Sequence, residues 1–174
     1  MSEEGGLSTK GEWATPYARV GGFHSLSGSA LAAVAREVLS RGHSFRFLAP
    51  GASMFPFIHN GDVVTLVPFD AGACAPGVVV AFVRPEHDRL VVHRVISVAG
   101  DQCCTRGDNN SADDGDVPFS AIIGTVDHVE RGGGSVGFGF GPEGILIAFL
   151  SRRGWLCRGM RAVGAVCSVT RRHL

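Results

Sequence analysis

The sequence predicts a mainly β fold: a compact antiparallel β domain with one N-terminal helix and a C-terminal amphipathic helix. Two observations predict the β domain. The 25 glycines, against 3 methionines and a single tyrosine, disfavour a helix bundle because glycine weakens helix interiors. A series of short apolar, β-type runs separated by turn residues indicates antiparallel strands. With 174 residues, 45% of them hydrophobic, the chain can build one domain with a packed core.

The elements follow in order along the chain. Residues 1–24 are polar and Gly-rich, and we expect a loose arm. Residues 29–41 carry apolar side chains at helical spacing, begin with Ser29 as N-cap and are followed by Gly42, which predicts a helix. The strands predicted after it are residues 45–48, 62–68, 78–84, 90–99, 101–105 and 122–130.

Residues 132–174 differ from the β region. Glycine is so frequent in residues 132–141 that we expect an open connector there rather than a paired strand. Residues 142–174 form a basic segment, in which apolar residues recur at spacings of 3, 4 and 7 from Phe149 to Cys167. This spacing predicts an amphipathic helix.

Charge and composition exclude several classes of function. Lys10 is the only lysine in the sequence, so a catalytic lysine is not expected. Only one early helix is predicted, whereas a helix-turn-helix needs two, so nucleic acid is not an expected partner. No apolar run reaches the length of a membrane span, and the acidic N-terminus does not resemble a secretory signal. Five cysteines without a CxxC pair indicate a reducing compartment.

A serine lies in the turn-forming segment of residues 51–56, Gly-Ala-Ser-Met-Phe-Pro. A turn bounded by Gly51 and Pro56 can expose the Ser53 hydroxyl and direct the Ser53 backbone N–H toward a developing oxyanion. We expect Met54 to support the same turn. The alternative is an ordinary turn serine.

His93 lies within the apolar strand predicted over residues 90–99. A serine hydroxyl needs a base to become a nucleophile at neutral pH, and without a usable lysine histidine is the natural base. The other six histidines lie near the tails, close to turns or in a peripheral strand, so His93 is the best candidate. The alternative is a histidine that only fills the core.

Four carboxylates occupy the turn at residues 105–116, Thr-Arg-Gly-Asp-Asn-Asn-Ser-Ala-Asp-Asp-Gly-Asp. One of them can bind the far ring nitrogen of His93, fix its tautomer and stabilise the imidazolium. A solvated acidic turn is the alternative. A calcium loop is disfavoured, because the sixth position is Asp113 instead of glycine and the twelfth is Phe119 instead of glutamate.

These three segments, in this order, resemble the catalytic domain of type I signal peptidases, and are most similar to the endoplasmic-reticulum and archaeal branch, in which histidine replaces the lysine base. The resemblance covers roughly residues 45–130 and makes residues 25–131 a serine peptidase domain with a leading helix. It implies that Ser53 is the nucleophile, His93 the general base and Asp114 the orienting carboxylate. Asp108 would be a supporting acid or the alternative third member. No metal or organic cofactor is implied.

The chain departs from the family in several places. It has no membrane anchor that we can identify in the sequence, and position 51 is glycine where some bacterial relatives have an oxyanion-binding serine. Ser53 N–H would then act with another backbone donor or water. The Arg-rich C-terminal segment lies outside the motif-bearing region, and with Trp155, Leu156 and Met160 on one side it is a candidate for peripheral membrane contact.

The expected function is therefore a serine endopeptidase, cytoplasmic or peripherally membrane-associated, that cleaves extended peptide or protein segments with small residues before the cut. Two alternatives stay open. One is a soluble maturation or self-processing protease, with residues 132–141 as the internal cleavage candidate. The other is an inactive β module that only binds peptides.

Overall fold

The computed structural model of this chain describes residues 28–84 and 88–153. The predicted arm at residues 1–24 and the part of the basic segment from residue 154 onward lie outside the described residues. The described chain is mainly β, with an antiparallel sheet curled into a half-barrel and one helix at each end of the described sequence, which confirms the predicted fold class.

The first helix, α1, spans Gly28–Ser40, one residue earlier than predicted. Its buried residues Ala32, Ala35 and Leu39 are three or four positions apart, so they form one face that packs on the sheet. The helix ends where Gly42 adopts a positive φ of 81° and donates its N–H to the Leu39 carbonyl at 3.0 Å.

Each of the predicted strands is confirmed to within one residue at either end, and two short strands were not predicted. The strands are β1 Phe45–Leu48, β2 Val63–Pro68, β3 Val79–Arg84, β4 Arg89–Ala99, β5 Gln102–Arg106, β6 Asp116–Pro118, β7 Ile122–Arg131 and β8 Gly134–Ser135. The unpredicted β6 and β8 have three and two residues, too few to show alternation in the sequence. Short 3₁₀ turns, Ala71–Ala73 and Phe119–Ala121, lie before β3 and β7.

All pairings are antiparallel, in the order β1-β2-β7-β3-β4-β5-β6, with β8 paired to the end of β7. The central strand β3 is buried along almost its whole length. Val79 and Ala81 join a core cluster that includes residues of α1, whereas Val80 and Phe82 join a second cluster. Because side chains alternate along a strand, these clusters lie on opposite faces of the sheet.

The open connector predicted for residues 132–141 is contradicted over residues 132–135, where the structure contains a hairpin. Gly132 and Gly133, both at positive φ, form the two-residue turn of a hairpin in which Arg131 pairs with Gly134. Two consecutive residues with positive φ are what the common hairpin turn requires, so the glycines build a ladder here instead of preventing one. Further on, the Gly139 carbonyl accepts a hydrogen bond from the buried Arg94 at 2.7 Å.

The second helix, α2, spans Gly144–Arg152, and it includes Phe149, where the predicted helical period begins. Its first turn packs directly on the backbone before β3, where Gly77 and Gly144 meet. A Cβ on Gly77 would lie 2.6 Å from the Gly144 carbonyl carbon, so this approach requires glycine. Within the described residues, neither helix has the length and hydropathy needed to cross a bilayer.

Candidate active site

Ser53 lies in the loop between β1 and β2, and its neighbours fix the path of this loop. Gly51 adopts a φ of 86°, and its N–H donates to the Asn60 side-chain oxygen at 2.9 Å. Met54 is buried in the core, and its carbonyl accepts from Phe57 N and Ile58 N, each at 3.0 Å. The half-buried Ser53 therefore lies on a turn anchored at both ends.

The far end of the same loop is held by an ion pair. Arg131 donates to both oxygens of Asp62, at 2.9 and 2.8 Å, and Asp62 also accepts from His59 N at 2.7 Å. These contacts with Arg131 lower the pKa of Asp62, although burial opposes the shift. Pro56, the last residue of the predicted serine turn, forms a cis peptide bond with Phe55, and its carbonyl contacts His59 Nε2 at 3.0 Å.

The Gly-Asp-Asn-Asn turn packs against the backbone of the serine turn. Asn109 N donates to the Ser53 carbonyl at 2.8 Å, and its side-chain amide donates to the Ala52 carbonyl at 3.1 Å. A Cβ on Gly107 would lie 2.7 Å from the Ser53 carbonyl oxygen, so glycine is needed for this approach. The turn thus positions the serine backbone, a role for Gly107 and Asn109 that was not predicted from the sequence.

His93 lies on β4 opposite Val80 of β3, and its ring contacts Asp114. The distance from His93 Nδ1 to Asp114 Oδ2 is 2.5 Å, and both side chains are less than one-tenth exposed. The same Asp114 oxygen accepts from the Thr105 hydroxyl at 2.8 Å, and the other oxygen accepts from Arg84 Nη2. The Asp114 backbone N–H donates to the Thr105 carbonyl at 2.9 Å, which ties the loop to β5.

The surroundings of Asp114 determine the tautomer of His93. Burial acts to raise the pKa of Asp114, but the hydrogen bond and charge of His93, the Thr105 hydroxyl and the Arg84 charge together lower it. Asp114 is therefore ionised at neutral pH and can only accept hydrogen bonds. His93 must then carry its proton on Nδ1, which leaves Nε2 unprotonated in the neutral ring.

Asp108 has a different partner. Arg94 Nε and Nη2 donate to Asp108 at 2.8 to 3.2 Å, and both side chains have no exposed surface. Burial raises the pKa of Asp108, against the effect of the Arg94 hydrogen bonds. Arg94 Nη1 also donates to the carbonyls of Gly77 and Gly139 at 2.9 and 2.7 Å. Of the two acids left open by the sequence, the structure places Asp114 against His93 and Asp108 against Arg94.

Ser53, His93 and Asp114 line one cleft of about 310 Å³. Arg84 and Asn110 complete its polar part, and the rest is mostly apolar: Leu31, Phe47, Ala49, Pro50, Met54, Ile58, Val64, Leu90, Val91 and Val92. Within the described residues, Ser53 and His93 share the cleft without a hydrogen bond between them. In serine hydrolases in general, the contact between nucleophile and base is often loose without substrate and tightens when substrate binds.

The backbone donors around Ser53 divide into two groups. The Gly51 N–H already donates to Asn60, so it is not available to bind a group in the cleft. Among the described residues, no hydrogen bond engages the N–H of Ala52, Ser53 or Met54. These three groups are the unengaged backbone donors next to the Ser53 hydroxyl.

Besides Gly107 and Asn109, three further residues that hold the site were not predicted from the sequence: Thr105, Arg84 and Arg94. Only Arg94 could have been found from the sequence. It follows His93 in an apolar strand, so the two side chains point to opposite faces, and an arginine buried in such a strand needs an acidic partner. No group of three or more His, Cys, Asp or Glu side chains in the described chain is arranged to hold a metal ion.

Comparison with known proteins adds no identification. No protein-family model and no curated protein matches this sequence.

Proposed function

We propose that this chain is a serine endopeptidase of the type I signal peptidase kind, with Ser53 as nucleophile, His93 as general base and Asp114 as the orienting acid. The observation that carries the proposal is the 2.5 Å contact between His93 Nδ1 and Asp114, at the cleft that also contains Ser53. It leaves the basic Nε2 as the ring nitrogen available to a serine hydroxyl.

The proposed reaction follows from these positions. Ser53 Oγ attacks the peptide carbonyl while His93 Nε2 takes the hydroxyl proton, and Asp114 stabilises the imidazolium. The N–H groups of Ser53 and Met54 are the candidate donors to the oxyanion. His93 then protonates the leaving amine, and water, activated by the same ring, hydrolyses the acyl-enzyme.

The sheet offers a place for an extended substrate. β5 pairs with β4 only from Arg94 onward, so in the described chain Arg89–His93 has β3 on one side and no strand on the other. A peptide paired along this stretch would run toward His93 and Ser53 with backbone hydrogen bonds on β4. The apolar lining of the cleft suits small apolar side chains near the cut.

The first test asks whether Ser53 is an activated nucleophile. A fluorophosphonate probe should acylate Ser53, as read by intact mass and peptide mapping, and labelling should vanish in Ser53→Ala and fall strongly in His93→Ala. The exposed residues Ser120 and His43 provide matched controls, since Ser120→Ala and His43→Ala should label like the parent. Labelling that persists in His93→Ala at the parental rate would remove the base assignment.

The second test asks what is cleaved. The parent and the same variants should be incubated with a library of extended peptides carrying small residues, and the products read by mass spectrometry. Cuts that require both Ser53 and His93 support the endopeptidase. A chain that neither labels nor cuts but retains peptides would instead be a binding module.

Self-processing at residues 132–141 is less favoured by the geometry. Gly134–Ser135 is paired with β7, and the Gly139 carbonyl is bound by Arg94. A peptide bond held in this way cannot enter a serine protease cleft without local unfolding. Intact-mass measurement on storage, beside Ser53→Ala, would detect such a cut.

A further inference from the structure

Helix α2 has two contrasting faces. Gly144, Ile147, Ala148 and Ser151 are buried against the domain. The opposite face, called here the outer face, consists of Ile145, Leu146, Phe149, Arg152 and Arg153. Its three large apolar side chains are 65%, 60% and 48% exposed, in chain order. A helix on the surface of a soluble domain normally has polar residues at such positions.

The direction of the outer face is fixed by the contacts of the inner one. The first turn lies on Gly77, and Arg106 Nη1 donates to the Ser151 carbonyl at 2.7 Å near the last turn. Arg106 also donates to the Asn110 carbonyl at 3.1 Å, which links α2 to the loop that carries Asp114. A rotation of α2 that buried its outer face would break these contacts at both ends.

The charge around the outer face indicates the type of partner. Arg152 and Arg153 end the helix, and the Arg153 guanidinium lies 4.5 Å from the centre of the Phe149 ring. The sequence has no acidic residue after Glu143, whereas residues 151–174 contain six arginines. Apolar side chains beside two arginines, on a helix with no acidic residue of its own, match an anionic membrane surface, where the apolar groups enter the headgroup boundary and the arginines meet phosphates.

We propose that the outer face of α2 binds an anionic lipid surface, and so attaches the domain peripherally to a membrane. This inference uses none of the active-site residues, so it stands or falls independently of the proposed protease activity. A second copy of this chain, or the chain's own residues 154–174, are the competing occupants of the same face.

The test is co-sedimentation of the full chain with vesicles of phosphatidylcholine, with and without about 30% phosphatidylserine. The parent should sediment with the anionic vesicles and stay in the supernatant with the neutral ones, and added salt should release it. Ile145→Glu/Phe149→Glu should lower the vesicle-bound fraction by at least about tenfold, since it removes apolar area and adds like charge. Val34→Glu, an exposed apolar position on α1, is the matched control and should bind like the parent.

A second, more conservative variant separates a loss of vesicle binding from a loss of folding. Arg152→Gln keeps the apolar residues and should weaken binding to anionic vesicles while the melting temperature stays close to that of the parent. Equal recovery of the parent from anionic and neutral vesicles would overturn the proposal. So would a parental dimer, seen by sedimentation velocity, that the Ile145→Glu/Phe149→Glu variant dissociates. A large loss of melting temperature in that variant, without vesicle binding by the parent, would assign the face to the chain's own C-terminal segment.

Discussion

Asp108 and Asp114 lie in the same loop between β5 and β6, yet each binds a different type of basic residue in a different environment. Asp108 is bound by Arg94 in a pair without solvent exposure, whereas Asp114 is bound by His93 at the wall of the cleft. His93 and Arg94 are neighbours on β4, so their side chains point to opposite faces of the sheet and separate the two acids. Arginine keeps its proton and histidine can release one, so the partner decides which acid is structural and which can serve a reaction.

The largest expected effect is on the reactivity of Ser53 when Asp114 is replaced. Asp114→Asn should slow acylation of Ser53 by about 10³ to 10⁴-fold, because an amide favours the wrong His93 tautomer and cannot stabilise the imidazolium. The melting temperature should change much less than in an Asp108 variant. The measurement is the labelling rate with a fluorophosphonate probe beside thermal unfolding, and an Asp114→Asn rate within tenfold of the parent would contradict the assignment.

The second largest effect is expected on the stability of the folded chain when Asp108 is replaced. Asp108→Ala leaves the Arg94 charge buried without its acid, which should lower the free energy of unfolding by about 3–5 kcal/mol. Urea unfolding measures it. Adding Arg94→Met should recover only part of the loss, because the carbonyls of Gly77 and Gly139 also lose their donor. If Asp108→Ala unfolds like the parent, the pair does not hold the fold.

The sequence was sufficient for the six longer strands because each β-type run ends close to turn residues, as in residues 45–48 and 122–130. It also placed Ser53 and His93 as candidates, and the structure brings them to one cleft. It could not choose between Asp108 and Asp114, since that choice depends on the strand face that each loop residue reaches. Nor could it find Arg84, whose partner Asp114 is thirty positions away. The Gly-rich hairpin was misread because φ angles, not glycine content, separate a turn from an open chain.

A smaller effect is expected where Asp114 meets Arg84. Arg84→Gln removes a donor to the oxygen of Asp114 that His93 does not use, and should slow Ser53 acylation by about tenfold, the size of one hydrogen bond to a charged group. Arg84→Lys keeps the positive charge but not the planar guanidinium group, so its rate of Ser53 acylation should lie between those of Arg84→Gln and the parent. Unchanged labelling rates in both variants would leave Arg84 without a role at the site.

The smallest effect is on the pH dependence of stability. Asp114 and Asp62 both have a pKa below the usual value of about 3.9, so each favours the folded state above that pH. This contribution is fully present at neutral pH and is lost as the pH falls through the folded-state pKa, because the unfolded chain then binds more protons. Urea unfolding between about pH 3 and pH 6 should show this fall in stability on acidification, offset in part by Asp108, whose raised pKa acts in the opposite direction. Asp114→Asn should flatten this fall but not abolish it, since Asp62 still titrates. An acid limb as steep in Asp114→Asn as in the parent would mean that His93 and Arg84 do not hold Asp114 ionised in the folded state.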